Sequence, residues 1–287
     1  MEPEQPAESE PEQVALAITK DALLRFFRKE RPRGLFYLSQ LEVLFEDRPL
    51  IQAKDPRRGK KGPFHWITAK AVSQLAAEGR IASEPPGPLI KGVPHGLRFF
   101  HAKAYRDFHT AAKRIQGLVA RYSEGNFTHG LGHQLELLID SALASARARF
   151  HIADVDVNKW KGRKWTQTEE DLDRIYVSSE GIEYGCEIKN TLPYIERGEF
   201  ERKLEMCRVL GVRPLFVARM MPESYIDAVW KAGGYSLVLK NQFYPLGFQV
   251  LATEVRRTLE LPVMCARAIP KEAIDLFLTW HETSLRK

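Results

Sequence analysis

The chain has 287 residues, of which 44% are hydrophobic and 28% are charged, so it can bury a core and form one large or two modest domains. Its formal net charge of +6 favours polyanionic partners, although an excess of this size is also common in proteins that bind no nucleic acid. The three cysteines form no C-x-x-C pair, which argues against disulfides and structural zinc and predicts a reducing, cytoplasmic location. Apolar runs fall short of the roughly 20 residues that cross a bilayer, so no membrane partner is expected.

The first segment of the chain is rich in Glu and Pro and then changes to a helical pattern. Residues 1–12 carry neither a basic n-region nor an apolar h-region, so we expect a disordered tail and no signal peptide. Apolar residues recur at helical spacing over 13–31. Ser39-Gln40-Leu41-Glu42 has the form of a capping box, which predicts a short helix through Phe45. Residues 54–63 combine Lys and Arg with Gly and Pro, which predicts a basic loop.

A further helical pattern over 66–78 ends at Gly79, a residue type typical of helix C-termini. Residues 81–82 and 97–100 predict two short strands around a Pro- and Gly-rich connection. Three helices followed by such a hairpin resemble a winged helix-turn-helix, which we predict over 13–103. Winged helices also serve as protein-docking modules, and that alternative stays open.

The winged-helix resemblance implies that the third helix enters a groove of DNA. Its residues that would face DNA are Thr68, Lys70, Ser73 and Gln74. The basic loop before this helix is expected to contact phosphates through Arg57, Arg58, Lys60 and Lys61.

The rest of the chain predicts a linking helix over 104–128 and then a domain over 129–287 in which helices and strands alternate. The expected elements are a helix over 132–149, strands over 150–157, 173–177 and 182–189, a helix over 199–210, a strand over 214–219, a helix over 223–232 and a strand over 235–239. This order predicts an α/β fold with helices on a mixed sheet, joined to a mainly α N-terminal domain.

Two neighbouring strands of this domain carry acidic residues and a lysine. Side chains alternate along a strand, so Glu187 and Lys189 share one face. A hairpin with its turn at 179–181 brings Asp173 towards the same end of the ladder. Carboxylate oxygens can hold Mg²⁺, the metal can activate a water, and a lysine can orient that water or stabilise charge on a phosphate.

The signature Asp173 … Glu187-Ile188-Lys189 resembles that of the PD-(D/E)xK phosphodiesterases, which have the restriction-endonuclease-like fold. The resemblance covers about residues 130–239 and implies that Asp173 and Glu187 bind Mg²⁺, with Mn²⁺ as a substitute. It also implies that Lys189 positions the attacking water and that Glu136, on the preceding helix, assists with metal or proton handling.

The same resemblance implies that the following helix presents a polar residue to the site; we choose Lys203, which is also a candidate contact for nucleic acid. Leu172 stands where the family signature has proline, a common departure. Asp171 stays open as a rival metal ligand, although the apolar residues that follow at alternate positions favour Asp173 as the strand residue.

A second nucleic-acid contact is predicted at residues 159–165, where cations alternate with two tryptophans. Such a loop can bind phosphates through its cations and stack bases on its rings. The cations are Lys159, Lys161, Arg163 and Lys164. The alternative, a solvated hairpin whose tryptophans fold back onto the core, stays open.

The sequence therefore predicts a Mg²⁺-dependent DNA endonuclease whose winged helix positions or selects duplex or branched DNA. No G-x-x-x-x-G-K-[ST] segment occurs, so no nucleotide cofactor is expected. Many nucleases of the family act as dimers so that two sites address two strands, but no segment of this sequence identifies a dimer face, and the choice between monomer and homodimer stays open. Two alternatives stay open: a DNA-binding regulator with a catalytically silent nuclease fold, and an assembly subunit of a DNA-processing complex.

Overall fold

The computed structural model describes residues 10–53, 59–91, 93, 96–146 and 150–285. The chain divides into two compact units, Met1–Gly125 with Glu254–Leu261 and Asn126–Thr253 with Pro262–Lys287. The expected disordered tail lies outside the described residues up to position 9, and its residues 10–12 belong to a helix instead. Arg57 and Arg58, with their expected DNA contacts, also lie outside the described residues. The predicted division into a winged helix over 13–103, a linking helix over 104–128 and an α/β domain over 129–287 stays a prediction.

The first unit contains helices and a small antiparallel sheet of the order β1-β5-β4. Its elements are α1 (Glu10–Arg25) with a π-helical turn at Phe26–Glu30, β1 (Leu35–Tyr37), α2 (Leu38–Glu46), β2 (Ile51–Gln52), β3 (Lys60–Lys61), α3 (His65–Ala77), β4 (Ala82–Ser83), β5 (Phe99–His101) and α4 (His109–Tyr122). The predicted helices and the two strands after α3 are confirmed.

The predicted capping box at Ser39 is wrong. Helix α2 already begins at Leu38, and its N-cap residue Tyr37 makes no side-chain cap hydrogen bond. The reason is strand β1, which pairs with β5 and carries the chain directly into the helix. Ser39 therefore lies inside the first turn, where its hydroxyl cannot cap.

The second half of the chain forms a five-stranded sheet of the order β12-β11-β10-β9-β6 with helices around it. Its elements are α5 (Gly125–Ala144), β6 (His151–Val157), β7 (Lys159–Trp160), β8 (Arg163–Lys164), β9 (Leu172–Val177), β10 (Glu183–Lys189), α6 (Arg197–Leu210), β11 (Arg213–Ala218), α7 (Glu223–Lys231), β12 (Tyr235–Val238), β13 (Gln242–Phe243), α8 (Gln249–Leu259), β14 (Val263–Met264) and α9 (Lys271–Leu285). Strand β9 is antiparallel to β6 and β10, whereas β10, β11 and β12 are parallel. The predicted α/β class with a mixed sheet is confirmed.

Helix α5 begins earlier than predicted, at Gly125 instead of Gly132. The apolar stripe of the helix continues at helical spacing through the glycines before position 132. Phe127, Leu131 and Leu135 are all buried. Burial of this stripe outweighs the cost of about 1 kcal/mol that each glycine adds inside a helix.

The two faces of the sheet pack against different helices. Tyr176, Tyr184 and Cys186 face a core that includes Leu135 of α5 and Phe277 of α9. On the opposite face, Ile175 packs with residues of α6, among them Met206 and Cys207. Alternation along β9 and β10 thus separates the residues that face α5 from those that face α6.

Helix α6 can approach β10 closely because Gly185 has no side chain. A Cβ atom at this position would lie 2.7 Å from Leu172 Cδ1, 2.7 Å from Val212 Cγ2 and 3.0 Å from Cys207 Sγ. Gly185 pairs with Ile175 of β9 in the centre of the sheet. The glycine therefore fixes the distance between α6 and the strand that carries Glu187.

We expect Gly185→Ala to lower the free energy of unfolding by about 1–3 kcal/mol, because overpacking a buried site forces neighbouring side chains to move. Denaturant unfolding would measure the loss. Gly132→Ala is the matched control: it lies in α5 with open space around its Cα, so it should be neutral or stabilising. Equal stability of Gly185→Ala and the wild type would contradict this account of the packing.

Candidate active site

The carboxylates of Asp173 and Glu187 meet where the β9–β10 ladder ends. The last pair of the antiparallel register joins Arg174 to Cys186. One residue beyond it, Asp173 Oδ2 accepts a hydrogen bond of 2.5 Å from the Ile188 amide. The Asp173 carboxylate therefore accepts the Ile188 amide hydrogen bond where the backbone pairing of β9 and β10 has ended. This places Asp173 beside Glu187, as alternation along the strands predicts.

Glu187 is 1% exposed and lies between two lysines. Its Oε1 is 3.2 Å from Lys189 Nζ, and its Oε2 is 2.7 Å from Lys203 Nζ. The contact at Oε2 lacks hydrogen-bond geometry, so this oxygen is buried without a hydrogen-bond donor. A carboxylate at this depth requires charged partners, because desolvation of the ion costs several kcal/mol.

Lys189 is the partly exposed cation of the cluster. Its Nζ lies 2.6 Å from Glu199 Oε1 as well as near Glu187. Burial alone would lower the pKa of Lys189, but the charges of Glu187 and Glu199 outweigh it and raise the pKa above its usual value. Lys189 is therefore protonated at neutral pH and acts in this structure as a cation.

Glu199 is a residue of the site that the sequence reasoning missed. It lies in the first turn of α6, one helical turn before Lys203, so the two side chains share a face of the helix. A glutamate and a lysine at this spacing after the Glu187-Ile188-Lys189 signature are the signal that was present in the sequence.

Lys203 lies beside the acidic pair, where the resemblance implies a polar residue of this helix. It is 6% exposed, pairs with Glu187 and donates a short hydrogen bond to the carbonyl of Asp171. The reason is its position on the buried face of α6, together with Phe200 and Met206. Lys203 is therefore too buried for a surface contact with nucleic acid, and its ammonium group pairs with Glu187.

The environment of Asp173 favours its neutral form. Burial, and after it the negative charge of Glu187, raises the pKa of Asp173 to about 7, against the opposing effects of the Ile188 amide, Lys203 and Lys189. Two carboxylates in one small volume repel each other, so a proton or another cation stabilises the pair. The environment of Asp173 and Glu187 therefore favours the binding of a further proton or metal cation.

Glu136 lies apart from this pair. Its Oε2 is 2.7 Å from Arg174 Nη2 and 3.9 Å from His133 Nδ1. Arg174 is the neighbour of Asp173 on β9, and its side chain points to the face that packs against α5. The structure therefore places Glu136 in an ion pair on the other face of the sheet and does not bring it together with Glu187.

Asp173 and Glu187 offer the oxygen ligands that Mg²⁺ prefers. Glu187 Oε2, which accepts no hydrogen bond, suits a cation. Mg²⁺ is commonly held by one or two carboxylates, with waters and substrate phosphates completing its shell. Within the described part of the chain no group of three or more His, Cys, Asp and Glu residues forms a metal site. The rival ligand Asp171 has a buried Oδ1 without a hydrogen bond. The choice between Asp171 and Asp173 stays a prediction.

Strands β7 and β8 form the basic hairpin that the sequence singled out. Lys161 and Gly162 both have positive φ, 46° and 82°, as a tight two-residue hairpin turn requires. Lys161 pairs with Glu183. The other predicted contacts, Lys159, Arg163 and Lys164, are also exposed.

Of the two tryptophans of this segment, Trp165 is buried and Trp160 is partly buried. Trp165 is buried in the cluster with Met206 and Leu210, and Trp160 Nε1 donates to Glu183 Oε2 at 2.9 Å. The alternative of tryptophans folded onto the core is therefore what the structure shows. Base stacking on Trp165, as expected from the sequence, is corrected.

On α3, one of the residues predicted to face DNA is buried, and the other three are exposed or partly exposed. Thr68 is 0% exposed, because it continues the buried stripe of Ala71, Val72 and Leu75, so its predicted contact is corrected. Gln74 Oε1 accepts from Lys20 Nζ at 3.2 Å. Ser73 is exposed and Lys70 is partly exposed; on β3, Lys60 is exposed and Lys61 partly exposed.

Comparisons of the chain with protein-family models, curated proteins and solved structures find no match. The helices of the described residues include none that is both long and apolar enough to cross a membrane.

We expect the contribution of Asp173 to the stability of the chain, measured in EDTA, to fall as the pH rises from about 4 to 7. Asp173 titrates near pH 7 when folded and near 3.9 when unfolded, so in this window the folded state binds the extra proton. Asp173→Asn mimics the neutral form and should remove part of the loss, up to about 1.4 kcal/mol for each pKa unit. Thermal unfolding at a series of pH values would measure it.

The matched control is Asp154→Asn, which removes an exposed carboxylate of β6. It should leave the pH dependence of the melting temperature as in the wild type. A melting temperature of Asp173→Asn below that of the wild type at pH 8 would contradict the buried, charge-repelled environment of Asp173.

Proposed function

We propose that this chain is a metal-dependent phosphodiesterase of the restriction-endonuclease-like class that cleaves DNA internally. The observation that carries the proposal is the cluster of Asp173, Glu187 and Lys189 at the end of the β9–β10 ladder. Buried ion pairs add little net stability, whereas groups with strongly shifted pKa values concentrate at functional sites. The cluster is therefore better explained by chemistry than by stability.

The topology of the sheet and of the first unit supports the same class. An antiparallel strand pair, β9–β10, continues into the parallel strands β11 and β12, which is the arrangement expected of a restriction-endonuclease-like core. In the first unit, α1, α2 and α3 precede two strands of a three-stranded antiparallel sheet, as in a winged helix. Exposed cations on the β7–β8 hairpin supply a surface for phosphates.

In this mechanism Asp173 and Glu187 would hold Mg²⁺, which when bound would supply Lewis acidity towards a phosphate. Lys203, on α6, orients the Glu187 carboxylate through their ion pair. Lys189 is protonated, so it stabilises negative charge that develops on the phosphate and does not remove a proton from water. Glu199 positions the Lys189 ammonium group through their contact of 2.6 Å.

A second candidate is a DNA-binding regulator or assembly subunit whose nuclease fold is silent. Two observations favour it: an ammonium group already lies 2.7 Å from Glu187 Oε2, and Glu136 pairs with Arg174 instead of joining the acidic pair. If the Lys203 ammonium group permanently replaced the metal, DNA binding would persist without hydrolysis.

We expect the purified chain to nick supercoiled DNA in Mg²⁺ or Mn²⁺ and not in EDTA. Asp173→Ala and Glu187→Ala should abolish nicking, because each removes a metal ligand. Glu183→Ala is the matched control: it lies on the same strand and face as Glu187 but pairs with Trp160 and Lys161, so it should retain activity. DNA binding without nicking in either metal would support the silent candidate instead.

We expect Lys189→Met to slow single-turnover cleavage by about 100-fold, by analogy with the loss of one preorganised stabilising donor. DNA affinity in Ca²⁺ should change by less than about threefold, because Lys189 acts on charge that exists mainly in the transition state. Lys161→Met, on the basic hairpin, should show the reverse pattern. Equal losses of binding and cleavage in Lys189→Met would make Lys189 a phosphate-binding residue only.

A further inference from the structure

An aromatic pair stands at the beginning of α3. Phe64 is the N-cap residue of this helix, and its ring stacks on that of Trp66 with centroids 4.4 Å apart and planes 11° from parallel. Trp66 is nevertheless 48% exposed. Its neighbours on the helix, His65 and Ile67, are buried, so Trp66 points away from the core.

The aromatic pair lies in a basic stretch of the chain. Between positions 59 and 70 the sequence contains three lysines and no acidic residue. Lys61 Nζ lies 5.1 Å from the centroid of the Phe64 ring. Lys70 follows Trp66 by four positions on α3, so both residues share one face of the helix. The one histidine of this stretch, His65, is buried.

These features match the requirements for holding an unpaired nucleobase. Every base has a π face that can stack on an indole, and such stacking is tolerant of base identity. Phosphates flanking the base attract lysines, and release of their counterions adds affinity. Phe64 covers one side of the indole and fixes its orientation, which lowers the entropy lost on binding.

We propose that Trp66, backed by Phe64, is a stacking platform for an unpaired nucleobase, with Lys60, Lys61 and Lys70 close to the flanking phosphates. The site selects nucleic acid that contains extruded or single-stranded bases, because the bases of an intact duplex present no free π face. The proposal goes beyond the proposed function, since binding at Trp66 does not require hydrolysis. A protein partner is disfavoured because the stretch from position 59 to 70 carries three lysines and no acidic residue.

The test measures binding of the full chain to two labelled DNA duplexes in Ca²⁺. The duplexes have the same sequence, and one carries a bulge of three unpaired thymidines. Trp66→Ala should weaken binding to the bulged duplex by about tenfold or more, within the range of base–aromatic stacking. Binding to the plain duplex should change by less than about twofold. Trp66→Phe, which keeps a π face, should retain most of the affinity for the bulge.

Trp230→Ala is the matched control, because Trp230 is an exposed tryptophan of α7 in the other unit. It should leave both affinities unchanged. Replacing Lys60 and Lys61 by Gln should reduce the slope of log affinity against log salt by about one for each lost phosphate contact. Circular dichroism and thermal unfolding would verify that each variant is folded.

Three results would overturn the proposal: an unchanged preference for the bulge in Trp66→Ala, equal losses on both duplexes, or the same loss in Trp230→Ala. Glu187→Ala separates this proposal from the proposed function. It should keep the preference for the bulge whether or not the wild type cleaves DNA. If the chain binds bulged DNA through Trp66 and does not cleave it, the stacking proposal is supported and the proposed nuclease function is contradicted.

Discussion

The burial of the Glu187 carboxylate is the constraint on which the acidic cluster depends. A charge at this depth is stable only with close partners, and Lys189 and Lys203 supply them from two different elements, β10 and α6. Because both lysines must reach one carboxylate, the helix and the strand have to keep a fixed separation. The electrostatics of the site therefore set a geometric requirement on the packing.

Gly185 meets this requirement two residues before Glu187 on the same face of the strand. Its missing side chain lets Leu172, Val212 and Cys207 close over β10. At the end of β10, Asn190 donates to the carbonyls of Leu131 and Phe243 at 2.6 and 2.7 Å. The strand is thus held on both sides of Glu187, which keeps the carboxylate and the lysines in register.

Both faces of the sheet carry carboxylates paired with basic residues, but the two sets differ in burial. Facing α6, burial and, after it, the negative charge of Glu187 raise the pKa of Asp173 to about 7. Facing α5, Glu136 and Asp140 both lie beside Arg174, with side chains 25% and 18% exposed, whereas Glu187 is 1% exposed. The deeper burial of the pair that faces α6 makes the binding of a further cation more favourable there. This difference is why the metal proposal rests on Asp173 and Glu187 and draws no support from Glu136.

The sequence by itself determined the order of helices and strands, because apolar periodicity reports which side of each element is buried. It also determined that Asp173, Glu187 and Lys189 share one face, because alternation along strands is a local property. Tertiary structure decided the partners: Glu199 on Lys189, Lys203 on Glu187 and Arg174 on Glu136. It also buried Thr68 and Trp165 and exposed Trp66. Such outcomes depend on which elements pack against each other, and the spacing of residues along one element carries no information about its neighbours across the fold.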